Sequence, residues 1–286
     1  MYKPGTIIFF LFLFLVLLGG IYFIIEKESV KELFGSSLEN SEFAFLEQAF
    51  QNEPEKEPTP DSLKIPIFIY HSVRRHIAGE SKIQEAYDIT PELFEKQLKY
   101  LQDNGYTTIT LDDLVHDIEQ GTTTPVTKPV ILTFDDGWRN QYRNAFPLLK
   151  KYHMTATFYV YTNPIGKKKH FLTWDQLKEM DAAGMTITSH TLSHPYLKLL
   201  STDELTHEIV ESKKILEAEL KKPIRHFASP FGYTNSEVVT ILKEAGYLTG
   251  RTTRKGVYHA KSDLLKLRGI LINDDFSDFV HSLETR

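Results

Sequence analysis

From Ile65 to the C-terminus, short apolar runs alternate with segments of helical periodicity. The runs PIFIYH (66–71), PVILTF (129–134), TATFYVY (155–161), MTITSH (185–190), IRHFAS (224–229) and LKLRGILI (265–272) have the length and β-branched or aromatic content of buried strands. Between them PELFEKQLKYLQDNG, LDDLVHDIEQG, NAFPLLKKYH, WDQLKEMDAAG, DELTHEIVESKKILEAEL and SEVVTILKEAG place apolar residues three and four apart, which predicts amphipathic helices. Thr90-Pro91 and Thr173 stand at helix starts. Gly105, Gly184 and Gly246 stand where a helix ends in the left-handed region. Strand and helix taking turns predicts an α/β fold of parallel βα units, closed as a barrel or open as a doubly wound sheet. No glycine-rich fingerprint follows a strand, which removes weight from the dinucleotide-binding version. In a barrel the chemistry collects at the C-terminal strand ends.

Ahead of this region the pattern changes twice. Residues 6–25, TIIFFLFLFLVLLGGIYFII, carry no charge over 20 positions, about what a helix needs to cross a hydrocarbon core of roughly 30 Å. Residues 1–25 are therefore expected to form a transmembrane anchor. A cleaved signal peptide is the rival reading, but the run exceeds an ordinary signal core and no A-x-A site follows. Lys3 before the run and Glu26-Lys27-Glu28 after it orient the N-terminus to the cytoplasm and the rest to the extracytoplasmic side. Residues 26–63 read as an acidic, Pro/Glu-rich stalk ending in QNEPEKEPTPD (Gln51 to Asp61). Within it FAFLEQAF (Phe43 to Phe50) has the spacing of a short helix.

Charge sharpens this division. Residues 26–61 hold ten acidic and three basic side chains against a whole-chain net charge of −5, so residues 64–286 are nearly neutral. Nothing there points to nucleic acid. The absence of cysteine rules out disulfides, thiolate ligands and cysteine nucleophiles. Any metal must be held by His, Asp or Glu.

Three Asp-Asp pairs are present, in different settings. Asp112-Asp113 opens a helical segment after Leu111 and Asp274-Asp275 leads into another, where carboxylates cap free N–H groups and suit the helix dipole. Asp135-Asp136 instead follows the most apolar strand, with Gly137 allowing a sharp turn. Two adjacent carboxylates at a buried strand end repel each other unless a cation or hydrogen bonds compensate. Further on, His190 closes a strand-like run and His194 follows four residues later, a spacing that presents both imidazoles to one point. Two nitrogens and one carboxylate oxygen suit Zn²⁺ or another divalent ion with open coordination positions. One aspartate is then left over as a base.

TFDDG (Thr133 to Gly137) and HTLSH (His190 to His194) resemble the first two motifs of the NodB-like polysaccharide deacetylases, carbohydrate esterase family 4. The resemblance spans roughly residues 65–283. It implies a distorted (β/α) barrel, with Asp135 as catalytic base and Asp136, His190 and His194 as metal ligands. The family's third motif usually reads Arg, one residue, then Pro-Tyr or Pro-Phe, whereas FASPFG (Phe227 to Gly232) has Ala228 at the arginine's place. That arginine would orient the base. The Phe231 N–H keeps the place of an oxyanion donor, a role set by geometry. The fifth motif's histidine is also missing, since LKLRGILIND carries Arg268. In both departures the chain is similar to the poly-N-acetylglucosamine deacetylases, in which a histidine of the type of His71, in IFIYHSV, comes first in the chain as general acid.

These readings lead to one expectation. Residues 64–286 form a metal-dependent catalytic domain that removes N-acetyl groups from N-acetylglucosamine residues of an extracellular or cell-wall polysaccharide. Peptidoglycan or chitin oligomers are alternative substrates, and a non-catalytic glycan-binding module on the same fold is the alternative of another class. Trp138, Trp174, Tyr196 and Tyr233 lie near the motifs and are suited either to stacking on sugar rings or to core packing. Lys167 to Lys169 read as a solvated loop, and Arg251, Thr252 and Thr253 receive no role.

Overall fold

The computed structural model describes residues 51, 54–55, 57–79 and 85–284. Its centre is an eight-stranded parallel sheet. The strands in chain order are β1 (Leu63–Lys64), β2 (Ile67–Tyr70), β3 (Ser72–Val73), β4 (Asp88–Ile89), β5 (Thr107–Thr108), β6 (Pro129–Phe134), β7 (Thr157–Val160), β8 (Thr186–Ser189), β9 (His226–Ala228), β10 (Thr249–Arg251), β11 (Tyr258–His259) and β12 (Ile270–Leu271). Neighbours run β10-β9-β8-β7-β6-β2-β12, with β5 added beside the start of β6. The sheet is a curled half-barrel, and an isolated parallel bridge from Arg251 to Leu267, just upstream of β12, brings its two edges together. β1 pairs with β11 and β3 with β4 outside this sheet.

Strand alternation decides what each face carries. On one face Phe68, Tyr70, Val130, Leu132, Phe134, Phe158, Ile187 and Phe227 join the main core under the helices. Phe134 stacks between Tyr70, at 5.2 Å, and Phe158, at 4.8 Å, with Phe94 edge-on at 5.6 Å. Each ring so buried contributes about 1.5–3 kcal/mol. The opposite face carries a smaller cluster with Ile67, Ile131, Tyr159, Ala228 and Leu267. With a side-chain period of two, His71, Asp135 and His190 continue this second face beyond the ends of β2, β6 and β8.

Helices α1 (Pro91–Asp103), α2 (Leu111–Gln120), α3 (Phe146–Lys151), α4 (Trp174–Ala182), α5 (Thr202–Leu220), α6 (Ser236–Glu244) and α7 (Phe276–Glu284) fill the connections. Their starts follow the sequence expectation. Thr90 caps α1, and Thr110 with Asp113 and Thr173 with Gln176 form reciprocal capping boxes. Asp275 accepts the Ser277 N–H at 2.7 Å at the start of α7, so both remaining Asp pairs serve helix ends. Gly105, Gly184 and Gly246 have φ of 74°, 89° and 76°. Where NAFPLLKKYH suggests one helix, α3 is preceded by a π-helical turn, Gln141–Ala145.

The anchor expected over residues 1–25 and the helix expected over Phe43 to Phe50 lie outside the described residues. Among the described residues no helix is long and apolar enough to cross a membrane. The segment read as a solvated stalk does touch the domain before residue 64. Gln51 Nε2 donates to the Gly269 carbonyl at 3.1 Å, its Oε1 accepts the Leu271 N–H at 3.1 Å, and Leu63 pairs with His259. The Gln51 side chain satisfies the open edge of β12, which composition alone does not reveal.

Candidate active site

β6 delivers the Asp pair. Phe134 points into the core, so Asp135 faces the opposite side, where it is 1% exposed. Asp136 takes φ 75°, a conformation that aspartate tolerates better than most residues. The chain then turns at Gly137, φ 77°, where a Cβ would lie 2.9 Å from Val160 Cγ1. This reversal brings the Asp136 carboxylate over the end of β8. There Asp136 Oδ1 lies 3.7 Å from His190 Nε2 and 3.3 Å from His194 Nε2.

One donor atom from each of Asp136, His190 and His194 fits within a span of 4.8 Å. His190 Nδ1 donates to the Ala228 carbonyl at 2.8 Å, which fixes the tautomer and leaves Nε2 as a lone-pair donor. His190 Nε2 and Asp136 Oδ1 are buried without a hydrogen-bond partner among the described residues. Buried polar atoms aimed at one another and left unsatisfied are what a cation site requires. Trp138 Nε1 holds the second oxygen, Asp136 Oδ2, at 2.9 Å. The HTLSH loop is fixed from α5: Glu208 accepts the Leu192 and Ser193 N–H groups at 3.0 and 2.9 Å. Thr191 and His194 adopt φ of 70° and 62°, and Thr191 Oγ1 accepts the His194 N–H at 3.0 Å. The three residues fit a divalent ion.

Burial pushes both His190 and His194 down to about 4, so both imidazoles are neutral and available as ligands at neutral pH. Their affinity for Zn²⁺, measured by calorimetric titration, is expected to be flat from about pH 7 to 5 and to fall as pH drops through about 4, two protons then competing with the metal. A decline already starting near the ordinary imidazole value of about 6.5 would contradict the burial argument.

Asp135 has different neighbours. Its Oδ2 accepts a hydrogen bond from Arg251 Nη2 and lies 3.9 Å from His71 Nε2. Arg251 is fully buried on β10, with its guanidinium 5.1 Å from the centre of the Tyr159 ring. Burial alone would raise the Asp135 carboxyl, but the Arg251 guanidinium, charged and bonded to it, outweighs burial and holds the group below the usual carboxylate range. His71 packs edge-on against Tyr87 at 4.6 Å. Phe231, φ 54°, is buried in the turn after β9, its ring 4.7 Å from that of His194.

All six residues singled out in the sequence thus meet at the C-terminal strand ends. The residue missed is Arg251. It supplies from β10 the guanidinium that Ala228 lacks one strand away, Arg251 being paired in register with Ala228. The sequence signal was slight, because a Thr-Gly-Arg strand has no apolar run. Of the aromatic candidates, Trp138 stacks on Phe171 at 4.4 Å besides bonding Asp136, and Trp174 packs against the core at the start of α4. Tyr196 and Tyr233 meet at 5.5 Å, with Tyr196 6.2 Å from Phe231. Lys167, Lys168 and Lys169 are exposed.

Comparison with known proteins adds a family context. The family described as Polysaccharide deacetylase matches residues 122–250. YxkH of Bacillus subtilis (strain 168), which carries that family's name, is 33% identical over 219 residues, 77% of this chain and 75% of its own length. The poly-beta-1,6-N-acetyl-D-glucosamine N-deacetylase of Staphylococcus aureus (strain MRSA252) is 28% identical over 227 residues, 72% of this chain and 78% of its own. Among solved structures, the Streptococcus pyogenes deacetylase PplD in complex with acetate superposes with a TM-score of 0.71 at 32% identity, covering 78% of this chain and 99% of that one.

Proposed function

Since the chain belongs to the polysaccharide deacetylase family, we propose that it hydrolyses the N-acetyl groups of N-acetylglucosamine residues in an extracellular or cell-wall polymer of the poly-N-acetylglucosamine type. One observation carries the reading: a carboxylate held ionised by Arg251 stands between the Asp136-His190-His194 set and His71. The substrate class draws on the Staphylococcus aureus relative and on the position of His71 at the end of the first strand of the sheet.

Asp136, His190 and His194 would hold the divalent ion, for which Zn²⁺ suits two imidazoles and a carboxylate. Such an ion, when bound, polarises an amide carbonyl and acidifies water. Asp135 takes the proton of the attacking water, a base kept charged by the buried Arg251. His71, as general acid, delivers a proton to the departing amine, so that acetate and a free amino group result. The Phe231 N–H donates to the oxyanion, its backbone fixed by the turn after Pro230. Residues 6–25 are proposed to tether the domain to the outer face of the cell membrane, a reading that rests on their uncharged apolar run alone.

The test is acetate release from poly-N-acetylglucosamine, peptidoglycan fragments and chitin oligomers, combined with metal analysis. Release from the first, abolished by a chelator and restored by Zn²⁺, is expected. Release confined to another polymer would replace the substrate, and metal-loaded protein inactive on all three would favour a glycan-binding module. His71→Ala is expected to lower kcat by about 10²–10⁴, the span of general acid catalysis, with metal content unchanged. An unaltered rate would remove His71 from the acid role.

A further inference from the structure

We propose that Gln141 is a positioning residue that sets the separation of Asp135 and His71. The inference rests on the base and acid roles proposed above. β2 and β6 are adjacent and in register, with Tyr70 opposite Phe134, so His71 and Asp135 occupy equivalent places just beyond two parallel strands. The Asp135 N–H still bonds the Tyr70 carbonyl at 2.9 Å. Beyond that bond the chains part, one into β3 and its pairing with β4, the other into the Asp136-Gly137 turn.

The Gln141 side chain ties the two together where they part. It is fully buried, and its Nε2 donates to the His71 carbonyl at 2.7 Å and also to the Asp135 carbonyl. The Asp135 carbonyl accepts the Gly137 N–H at 3.0 Å as well, but that bond lies within its own turn and does not reach β2. The two carbonyls fix the amide's orientation, because the reversed amide would set oxygen against oxygen. Gln141 opens the π-helical turn that ends at Ala145, and such wide turns aim side chains where a regular helix would not. Two further amides from the same stretch hold the adjoining strand. Asn140 Oδ1 accepts the Val73 N–H at 3.0 Å and its Nδ2 donates to Ser72 Oγ at 2.8 Å, while Asn144 Nδ2 donates to the Val73 carbonyl at 2.6 Å. Base and acid are thus registered through main-chain atoms, leaving both side chains to the reaction.

Gln141→Met keeps length and bulk and removes both donors. It is expected to lower kcat by about tenfold to a hundredfold, the cost of misplacing a catalytic group by about 1 Å, with KM within about twofold and bound metal unchanged. In a His71→Ala background there is no separation left to set, and the same substitution is expected to cost less than about twofold. Gln141→Leu, which is shorter and likewise has no donor, provides the same comparison should Gln141→Met fail to fold. Equal costs in both backgrounds, or full kcat in folded, metal-loaded single variants, would overturn the proposal while a slow His71→Ala left the acid role standing. An undiminished rate in His71→Ala would instead overturn the acid role, and the proposal with it.

Discussion

Arg251→Met is expected to lower stability by about 3–5 kcal/mol, the cost of stranding one partner of a buried ion pair, and to reduce deacetylation at least about a hundredfold. The loss comes from Asp135, 1% exposed and bonded to the guanidinium. Methionine retains apolar bulk beside Tyr159 and supplies no charge. With Arg251 present the carboxyl is held below its unfolded value. The pair's stabilisation is therefore present above the unfolded value of about 3.9 and is lost as pH falls through the lower folded one. In the variant burial prevails and the carboxyl moves up, so the penalty appears at neutral pH, where the wild type is most secure. Denaturant unfolding of metal-free protein between about pH 4 and 8, alongside acetate release, measures both effects. A change within about 1 kcal/mol at pH 7 would show that Arg251 is not what keeps Asp135 charged. Arg251→Lys should recover little, because a compact ammonium lacks the planar fork.

The second large effect separates turnover from metal. Asp135→Asn should retain full metal stoichiometry while kcat falls by about 10³, within the range attributed to a positioned base. His190→Ala should lose the metal itself, since it removes a proposed ligand whose Nδ1 is locked to Ala228 and whose Nε2 lies 3.7 Å from Asp136 Oδ1. The measurements are metal analysis after gel filtration and single-substrate kinetics. If Asp135→Asn deacetylates normally, the base lies elsewhere; if it loses metal, the two aspartates share the ligand role.

Much of this site was legible in the sequence, for reasons visible in particular residues. Phe134 and Asp135 alternate across a buried strand, so a carboxylate after an apolar run had to face the second side of the sheet. Thr90 and Thr173 mark helix starts through hydrogen bonds made within three residues, which a linear reading captures. The spacing of His190 and His194 likewise carries its geometry locally. Arg251 and Gln141 act across 116 and 70 residues of sequence, on Asp135 and His71. Neither has a periodic or motif signature. β10 is three residues long and contains glycine, and Gln141 lies ahead of the helix that NAFPLLKKYH predicts, where nothing singles out a glutamine. The distant supports of Asp135 were therefore hidden, while the position of Asp135 at the strand end was evident. The contacts of Gln51 with the edge of β12 were equally out of reach, because a polar, proline-rich segment reads as solvated until the strand edge it meets is known.

Asp136, Thr191, His194 and Phe231 share a feature with a consequence for how such an enzyme changes over time. Each holds a backbone conformation with φ between 54° and 75° that disfavours residues with a Cβ, at an order of 1–3 kcal/mol apiece. Glycine would relieve every one of them, and at each it would remove a proposed metal ligand, a loop-fixing hydroxyl or a packed ring. Selection for thermal resistance alone would therefore erode the site first, and the rest of the domain must be robust enough to carry this standing debt. Hardier variants are better sought among the helix caps and the exposed lysine loop than around the Asp-Asp turn.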